Sequence, residues 1–200
     1  GTRMNSCKPK ALQTLAGRTL VDHILNTVNQ ASIDDVVIIH SPKAKKQFEQ
    51  KIITNKKIAY VEQSEARGTA HALKIALPHV TSDNVLVLLG DVPLLSLATV
   101  KKLKEKTLKH DLVVLTGTVK NPMGYGRINR DKDGNPMAII EELDCDEEQR
   151  KIKEINSGIM AFNTKTARSL VERIKPNPKK NEYYLTDAIE IAYHEGLRTV

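Results

Sequence analysis

Short apolar runs alternate with amphipathic segments along the first 120 residues of the chain. Four of these runs have the length and composition of strands, and the first and third are apolar enough to be buried parallel strands. They lie at residues 36–39, 58–61, 85–89 and 112–115. Segments with helical periodicity precede or separate them, and these predicted helices lie at residues 20–28, 43–53, 69–77 and 97–108. The alternation predicts an α/β fold, with a doubly wound and mostly parallel sheet covered by helices on both faces.

The pattern changes beyond residue 120. Two strand-like segments, at residues 125–130 and 137–142, flank an Asp133-Gly134 turn and predict a hairpin. A further strand and two helices follow, at residues 155–162, 164–174 and 186–195. Gly196 suits the C-terminal end of the last helix. We therefore interpret residues 1–200 as a single domain with two halves, residues 1–120 and residues 121–200.

The net charge narrows the class of ligand. It is +7, from 31 basic and 24 acidic residues, which fits either nucleic acid or an anionic small substrate. The lysines are scattered, aromatic residues make up only 4% of the chain, and the acidic block at residues 141–148 would repel a polyanion. We therefore expect an anionic small substrate and no nucleic acid.

The cellular compartment is indicated by two further features. No apolar run approaches the length that crosses a bilayer, so no membrane association is expected. The two cysteines, Cys7 and Cys145, form no metal-spaced pair and suit a reducing compartment. We expect a cytoplasmic protein in which both thiols are incidental.

The start of the chain has the composition of a phosphate-binding loop. Residues 1–4 read GTRM, and Lys10 follows just before the first predicted helix. Glycine lets a backbone pass close to a phosphate, and the charges of Arg3 and Lys10 can neutralise phosphate oxygens. Arg3 and Lys10 are therefore candidate catalytic residues, and Lys10 is also a candidate nucleotide contact.

Asp91 is the candidate metal ligand. It follows the apolar run at residues 85–89, within the segment LGDVPL at residues 89–94. Open α/β sheets bind ligands beyond the carboxyl ends of their strands, and a carboxylate there can hold Mg²⁺ beside phosphates. A turn or cap aspartate is the alternative, but the flanking residues and the loop at the start of the chain favour the metal.

A candidate nucleotide site follows the run at residues 58–61. Gln63 offers both a donor and an acceptor to the edge of a base, and Gly68 allows a flat ligand to approach closely. Thr69 opens the next helix, where it could equally be an N-cap. Gln63 could instead bridge the loop to the sheet, and His71 is expected to be structural rather than catalytic.

Three further blocks identify a family. They read GYGRI at residues 124–128, EINSGI at residues 154–159 and EYYLTD at residues 182–187. Together with the preceding segments, in this order and at this spacing, they resemble the uridyltransferase domain of the bacterial bifunctional enzymes that make UDP-N-acetylglucosamine. The resemblance runs over nearly all 200 residues.

The resemblance implies a Rossmann-like nucleotidyltransferase fold and a role in cell-wall precursor synthesis. The implied reaction joins UTP and N-acetylglucosamine 1-phosphate into UDP-N-acetylglucosamine, with Mg²⁺ as cofactor and pyrophosphate as the second product. Residues 1–120 would be the nucleotide-binding half and residues 121–200 the sugar-binding half. The implied contacts are Arg3 and Lys10 to the triphosphate, Gln63, Gly68 and Thr69 to the uridine, Asp91 to the metal, and Gly126, Glu141 and Asn156 to the sugar.

The chain departs from the family pattern in ways that leave alternatives open. The first strand and several glycines of the loop are missing, a second metal ligand would lie beyond Val200, and no acetyltransferase domain is present. We therefore expect a domain truncated at both ends, whose parent could form homo-oligomers through a further domain. Leu143 stands near a position that is often basic. The alternatives are a transferase for another sugar, such as glucose 1-phosphate, and a non-catalytic sugar-nucleotide-binding module.

Overall fold

The computed structural model describes residues 8–52, 54, 56–178 and 180–200. Its α-helices are α1 (Leu20–Gln30), α2 (Lys45–Lys51), α3 (Thr69–Ala76), α4 (Leu97–Thr107), α5 (Glu147–Lys151), α6 (Thr164–Arg173) and α7 (Asp187–His194). Its strands are β1 (Thr14–Leu15), β2 (Arg18–Thr19), β3 (Val36–His40), β4 (Ile58–Glu62), β5 (Asn84–Val87), β6 (Leu112–Thr118), β7 (Arg127–Arg130), β8 (Pro136–Ile140) and β9 (Glu154–Asn163). Every helix and strand predicted up to residue 196 is present within a few residues of its expected bounds, whereas α5, β1 and β2 were not predicted. None of the helices in this described part of the chain has the length and apolar character that crossing a bilayer requires.

Helix α1 shows how the local sequence sets an element. The Thr19 hydroxyl accepts a hydrogen bond from the Asp22 N–H, and the Asp22 carboxylate accepts from the Thr19 N–H. This reciprocal capping satisfies N–H groups that the start of a helix leaves open. Val21, Leu25 and Val28 are buried at helical spacing, so α1 packs through one apolar face.

Strand β9 is the centre of the largest sheet. Its Phe162 pairs with Leu112 of β6 on one side and with Val85 of β5 on the other. Both neighbours run antiparallel to β9 and therefore parallel to each other, and β7 and β8 extend the sheet. A separate parallel sheet joins β3 to β4. The predicted α/β class is confirmed, and its parallel strands β5 and β6 are separated by an antiparallel strand that the alternation could not place.

The predicted hairpin is confirmed as β7 and β8, which pair antiparallel. Asp131 orders its turn by accepting hydrogen bonds from the N–H groups of Asp133 and Asn135. Gly134 has a φ of +85°, a conformation that glycine adopts without strain. The hairpin is therefore set locally, and β7 then attaches it to β9 through Arg127 and Ile155.

The largest apolar core lies between the sheet around β9 and the helices α3, α6 and α7. Ala167, Leu170 and Val171 form the buried face of α6. They pack in one cluster with Ile189 of α7 and Phe162 of β9, both of which are fully buried. This core fixes β9 and its neighbouring strands against α3, α6 and α7.

Strands β3 and β5 are less buried than their sequences predict. Residues 36–39 and 85–87 are half-buried, so the expectation of fully buried strands is wrong here. Both strands and the apolar face of α1 line a cleft of about 1640 Å³. Among the described residues β3 pairs only with β4, and β5 only with β9, so each strand has one edge without a partner strand.

Candidate active site

The cleft collects four residues that were predicted to bind substrate. They are Gln63, Thr69, Glu141 and Asn156. Gln63 directly follows β4, Thr69 begins α3, Glu141 directly follows β8, and Asn156 belongs to β9. The fold thus brings three distant parts of the sequence to one opening. The predicted phosphate contact Arg3, like Cys7, lies outside the described residues.

Lys10 and Asp91 contact each other beside this cleft. The Lys10 Nζ lies 2.5 Å from the Asp91 Oδ2. Both side chains are exposed to solvent, at 52% and 37%, so ligands can reach the pair. The neighbouring residues Ala11 and Gly90 line the cleft itself. The predicted phosphate contact and the predicted metal ligand are therefore close together, and each neutralises the other.

The Asp91 carboxylate suits a Mg²⁺ ion that is shared with a phosphate chain. Within the described parts of the chain, no three or more His, Cys, Asp or Glu side chains are grouped so as to hold a metal ion. Magnesium in nucleotide sites is commonly held by one or two carboxylates together with substrate phosphates. Asp91, which already binds a cationic group through its Oδ2, fits a site of that kind.

Gln63 is held in one orientation by two neighbours. Its Nε2 donates to the Gly68 carbonyl at 3.1 Å and lies 3.0 Å from the His71 Nδ1. Burial lowers the pKa of His71, and the charges of Arg67 and Lys74 lower it further, so the neutral ring can accept at Nδ1. The amide nitrogen of Gln63 therefore bridges the end of β4 to the start of α3.

Gly68 is required by the packing of the chain itself. Its φ is +94°, and a Cβ there would lie 2.4 Å from the Tyr183 carbonyl oxygen. Gly68 is the N-cap of α3, which corrects the alternative that placed Thr69 there. The Thr69 hydroxyl instead accepts from the Leu185 N–H at 2.9 Å. These contacts join the predicted uridine loop to residues 183–185, and a contact of Gly68 or Thr69 with nucleotide stays a prediction.

The three residues predicted to bind sugar are neighbours. The Asn156 N–H donates to the Gly126 carbonyl at 2.9 Å. A Cβ at Gly126 would lie 3.5 Å from the Glu141 Oε1 and only 2.9 Å from Ile139, so only glycine leaves room at this position. Glu141 also accepts from the Thr186 hydroxyl at 3.3 Å. The backbone of Asn156 and the carboxylate of Glu141 thus both lie beside Gly126.

Arg127 and Glu142 support this arrangement and were not predicted. Arg127 is only 1% exposed and donates to Glu142 at 2.7 Å and to the Tyr125 carbonyl. Glu142 also accepts from the Gly124 N–H at 2.9 Å, and this bond and then Arg127 lower the pKa of Glu142. The sequence offers little signal for this pair, because β7 reads RINR and does not reveal that Arg127 rather than Arg130 is the buried charge that needs an acidic partner.

Asp187 directly follows Thr186, which lines the cleft. The pKa of Asp187 is raised to about 6, first by burial and then by the charges of Glu190, Glu141 and Asp144. The prediction that Asp187 starts a helix is confirmed, since it is the first residue of α7. Acidic groups of this kind accept hydrogen bonds from hydroxyl and amide donors.

The fold is that of a nucleotidyltransferase domain. Residues 1–154 match the family model of the MobA-like NTP transferase domain, and the chain belongs to that family. The family interpretation from the sequence motifs is thereby confirmed.

Curated relatives make the similarity more specific. The bifunctional protein GlmU of Francisella tularensis subsp. novicida is 43% identical to this chain over 192 residues. The alignment covers 96% of this chain and 42% of that protein, and GlmU of Francisella tularensis subsp. holarctica gives the same values. The chain thus spans less than half the length of these relatives.

Solved structures support the fold. The UDP-glucose pyrophosphorylase solved in complex with UDP-glucose matches with a TM-score of 0.75 at 17% identity, over 94% of this chain and 79% of that one. HddC from Yersinia pseudotuberculosis matches with a TM-score of 0.67 at 18% identity, over 92% of this chain and 77% of that one. The predicted nucleotidyltransferase fold is confirmed by these similarities.

Proposed function

We propose that this domain transfers a uridylyl group from UTP to N-acetylglucosamine 1-phosphate, giving UDP-N-acetylglucosamine and pyrophosphate. The observation that carries the proposal is the shared cleft, with Gln63 and Thr69 from the first half and Glu141 and Asn156 from the second half. The 43% identity to GlmU supports the choice of this transferase. We further propose that the reaction supplies a cell-wall precursor in the cytoplasm.

The chemistry asks the protein for positioning and for neutralisation of charge. An oxygen of the sugar phosphate attacks the α-phosphorus in line, and pyrophosphate leaves. Holding both substrates in one cleft removes the entropic cost of bringing them together during the reaction. Lys10 would neutralise the triphosphate, and Arg3 is proposed to assist it. No covalent intermediate on the protein is needed.

Asp91 would hold Mg²⁺, whose chemistry is to stabilise the negative charge of the phosphates as it redistributes. Lys10 and Asp91 are paired in the structure. On substrate binding, a phosphate would take the place of Asp91 beside Lys10, and the metal would take the place of Lys10 beside Asp91. Gln63, Gly68 and Thr69 would hold the uridine. Glu141 and Asn156 would accept from and donate to polar groups of the sugar, beside the Gly126 carbonyl.

The test is pyrophosphate release by the full-length protein from UTP and N-acetylglucosamine 1-phosphate, with glucose 1-phosphate as the competing acceptor. We expect release to require Mg²⁺ and to fall at least a hundredfold in Asp91→Asn, an effect of about 2.7 kcal/mol on the barrier. Asp133→Asn, in the exposed hairpin turn, is the matched control and should leave turnover unchanged. Absence of release, or equal release with Asp91→Asn, would overturn the proposal.

A further inference from the structure

The two N–H donors of the Gln63 amide are both directed at neighbours within the chain. The Gly68 carbonyl lies 3.1 Å from Nε2, and the His71 Nδ1 lies 3.0 Å from it. An amide nitrogen has only two hydrogens, so a third acceptor cannot be served. The sequence-based expectation was that Gln63 would both donate to a base and accept from it. The structure leaves Oε1 for that purpose, since it accepts no hydrogen bond from the described residues.

The opposite orientation of the amide is disfavoured. Rotation by 180° would place Oε1 against the Gly68 carbonyl and against the lone pair of the His71 Nδ1. Three acceptors would then face one another in a half-buried position, where unsatisfied polar groups are costly. The ring of His71 therefore sets the direction of Oε1 indirectly, because it holds the Nε2 atom of the same Gln63 amide.

We propose that His71 is a positioning residue that makes Gln63 an acceptor-only reader of the nucleotide base, and so determines pyrimidine specificity. The inference rests on the proposed function, because it deepens the role of the nucleotide site. A positioning role is consistent with the expectation that His71 is structural rather than catalytic.

The surroundings of His71 keep its ring neutral, so that Nδ1 can accept from the Gln63 amide. Arg67 and Lys74 place positive charge beside the ring, and they lower its pKa together with the larger effect of burial, against a smaller opposing effect of Glu65. Arg67 is itself fixed, since it donates to the Tyr183 hydroxyl at 3.3 Å and lies over the Tyr183 ring. A cationic neighbourhood disfavours a second proton on the ring.

A fixed acceptor beside a backbone donor distinguishes two pyrimidines of the same size. The Gly68 N–H donates to no acceptor among the described residues, and it lies in the same loop as the Gln63 amide. Uracil presents a carbonyl oxygen next to a ring N–H, which match that donor and Oε1. Cytosine presents an amino group next to a bare nitrogen, so donor would face donor and acceptor would face acceptor. Guanine also presents a carbonyl oxygen next to a ring N–H. The proposed specificity is therefore between uracil and cytosine, which have the same size.

The experiment measures kcat/KM and equilibrium binding for UTP and CTP on the full-length protein. His71→Phe keeps a ring and removes the acceptor, and His71→Leu is a second variant of the same kind. His71→Asn restores an acceptor, because its Oδ1 occupies roughly the position of Nδ1. His194→Leu, at the exposed end of α7, is the matched control.

We expect the wild type to prefer UTP, and the UTP/CTP ratio to fall at least tenfold in His71→Phe or His71→Leu while His71→Asn stays within threefold of the wild type. An unchanged ratio in a folded His71→Phe or His71→Leu variant would overturn the inference, as would an equal loss in His71→Asn. A wild type that shows no preference for UTP would instead contradict the proposed function, so the two failures are distinguishable.

Discussion

Two apolar strand segments, one in each of two regions, are buried to different degrees. In the central sheet, formed by β5 to β9, residues 159–162 of β9 are at most 2% exposed. In the parallel pair, formed by β3 and β4, residues 36–39 are half-buried. The difference comes from neighbours, because β9 has strands on both edges and helices above, whereas β3 borders the cleft.

This comparison teaches that an apolar run reports the capacity of a strand for burial, not its degree of burial. Burial stabilises in proportion to the apolar area removed from water. The central sheet should therefore carry most of the stability, and the parallel pair should respond more to whatever fills the cleft. The residues proposed to bind nucleotide lie on the less buried side, which is where local opening has the smallest cost.

The largest expected effect tests this division directly. Ile159→Ala in β9 should lower the free energy of unfolding by about 3–4 kcal/mol, because it leaves a cavity in a fully buried cluster. Ile38→Ala in β3 makes the same chemical change at a half-buried position and should cost about 1–2 kcal/mol. Urea unfolding of both variants measures the difference. Equal losses would mean that the parallel pair is as tightly packed in solution as the central sheet.

The fold was largely predictable from the sequence because periodicity and turn residues act locally. The hairpin is an example, since Asp133-Gly134 sets its turn whatever surrounds it. The position of β9 between β5 and β6 was not predictable, because an apolar run such as residues 155–162 fits either strand direction. The half-buried state of β3 was missed for the same reason, since the pattern does not reveal the neighbours of a strand.

The grouping of the candidate site was predictable only in part. Motifs indicated Gln63, Glu141 and Asn156 separately, and the structure places all of them on one cleft. The hydrogen bonds that fix these regions were not predicted: Glu142 holds the loop at Gly124, and His71 holds the amide of Gln63. Such hydrogen bonds depend on tertiary structure, and the resemblance to a family did not include them.

The effect of intermediate size concerns the charge of Asp187, at the edge of the central core. The folded-state pKa of Asp187, about 6, lies above its ordinary value of 3.8, so the charged form is the disfavoured one. The associated stability is complete below about pH 3.8 and is lost as the pH rises through 6. Asp187→Asn should therefore be more stable than the wild type by about 1–2 kcal/mol at pH 8.

The pH dependence separates this explanation from a general effect of the substitution. Thermal unfolding should show that Asp187→Asn is more stable than the wild type at pH 8 but not at pH 4. At pH 4 the buried aspartate of the wild type is largely neutral, like the asparagine. Asp133→Asn, in the exposed turn, should show no such dependence. A gain that is equal at both pH values would contradict a cost of burying the Asp187 charge.

The smallest expected effect concerns the ion pair that joins the two regions. Lys10 is close in sequence to Leu12, which packs in one cluster with apolar residues of β3 and β4, and Asp91 follows β5 of the central sheet. Because both side chains are exposed, the pair should add only about 0.5 kcal/mol to stability, and its removal should barely change unfolding. Its consequence for ligands is larger than its consequence for the fold.

A cation that binds Asp91 without nucleotide must displace the Lys10 ammonium, which lies 2.5 Å from the carboxylate. Lys10→Met removes that competitor and keeps the alkyl chain, so Mn²⁺ affinity, followed by electron paramagnetic resonance, should rise about twofold to fivefold, as roughly 0.5–1 kcal/mol implies. UTP affinity should fall in the same variant, because the triphosphate loses its ammonium partner. Lys45→Met, in the exposed pair with Glu49, should change neither affinity. If Mn²⁺ binds Lys10→Met no better than the wild type, Asp91 is not the carboxylate that receives the metal, and the link between the two regions is purely structural.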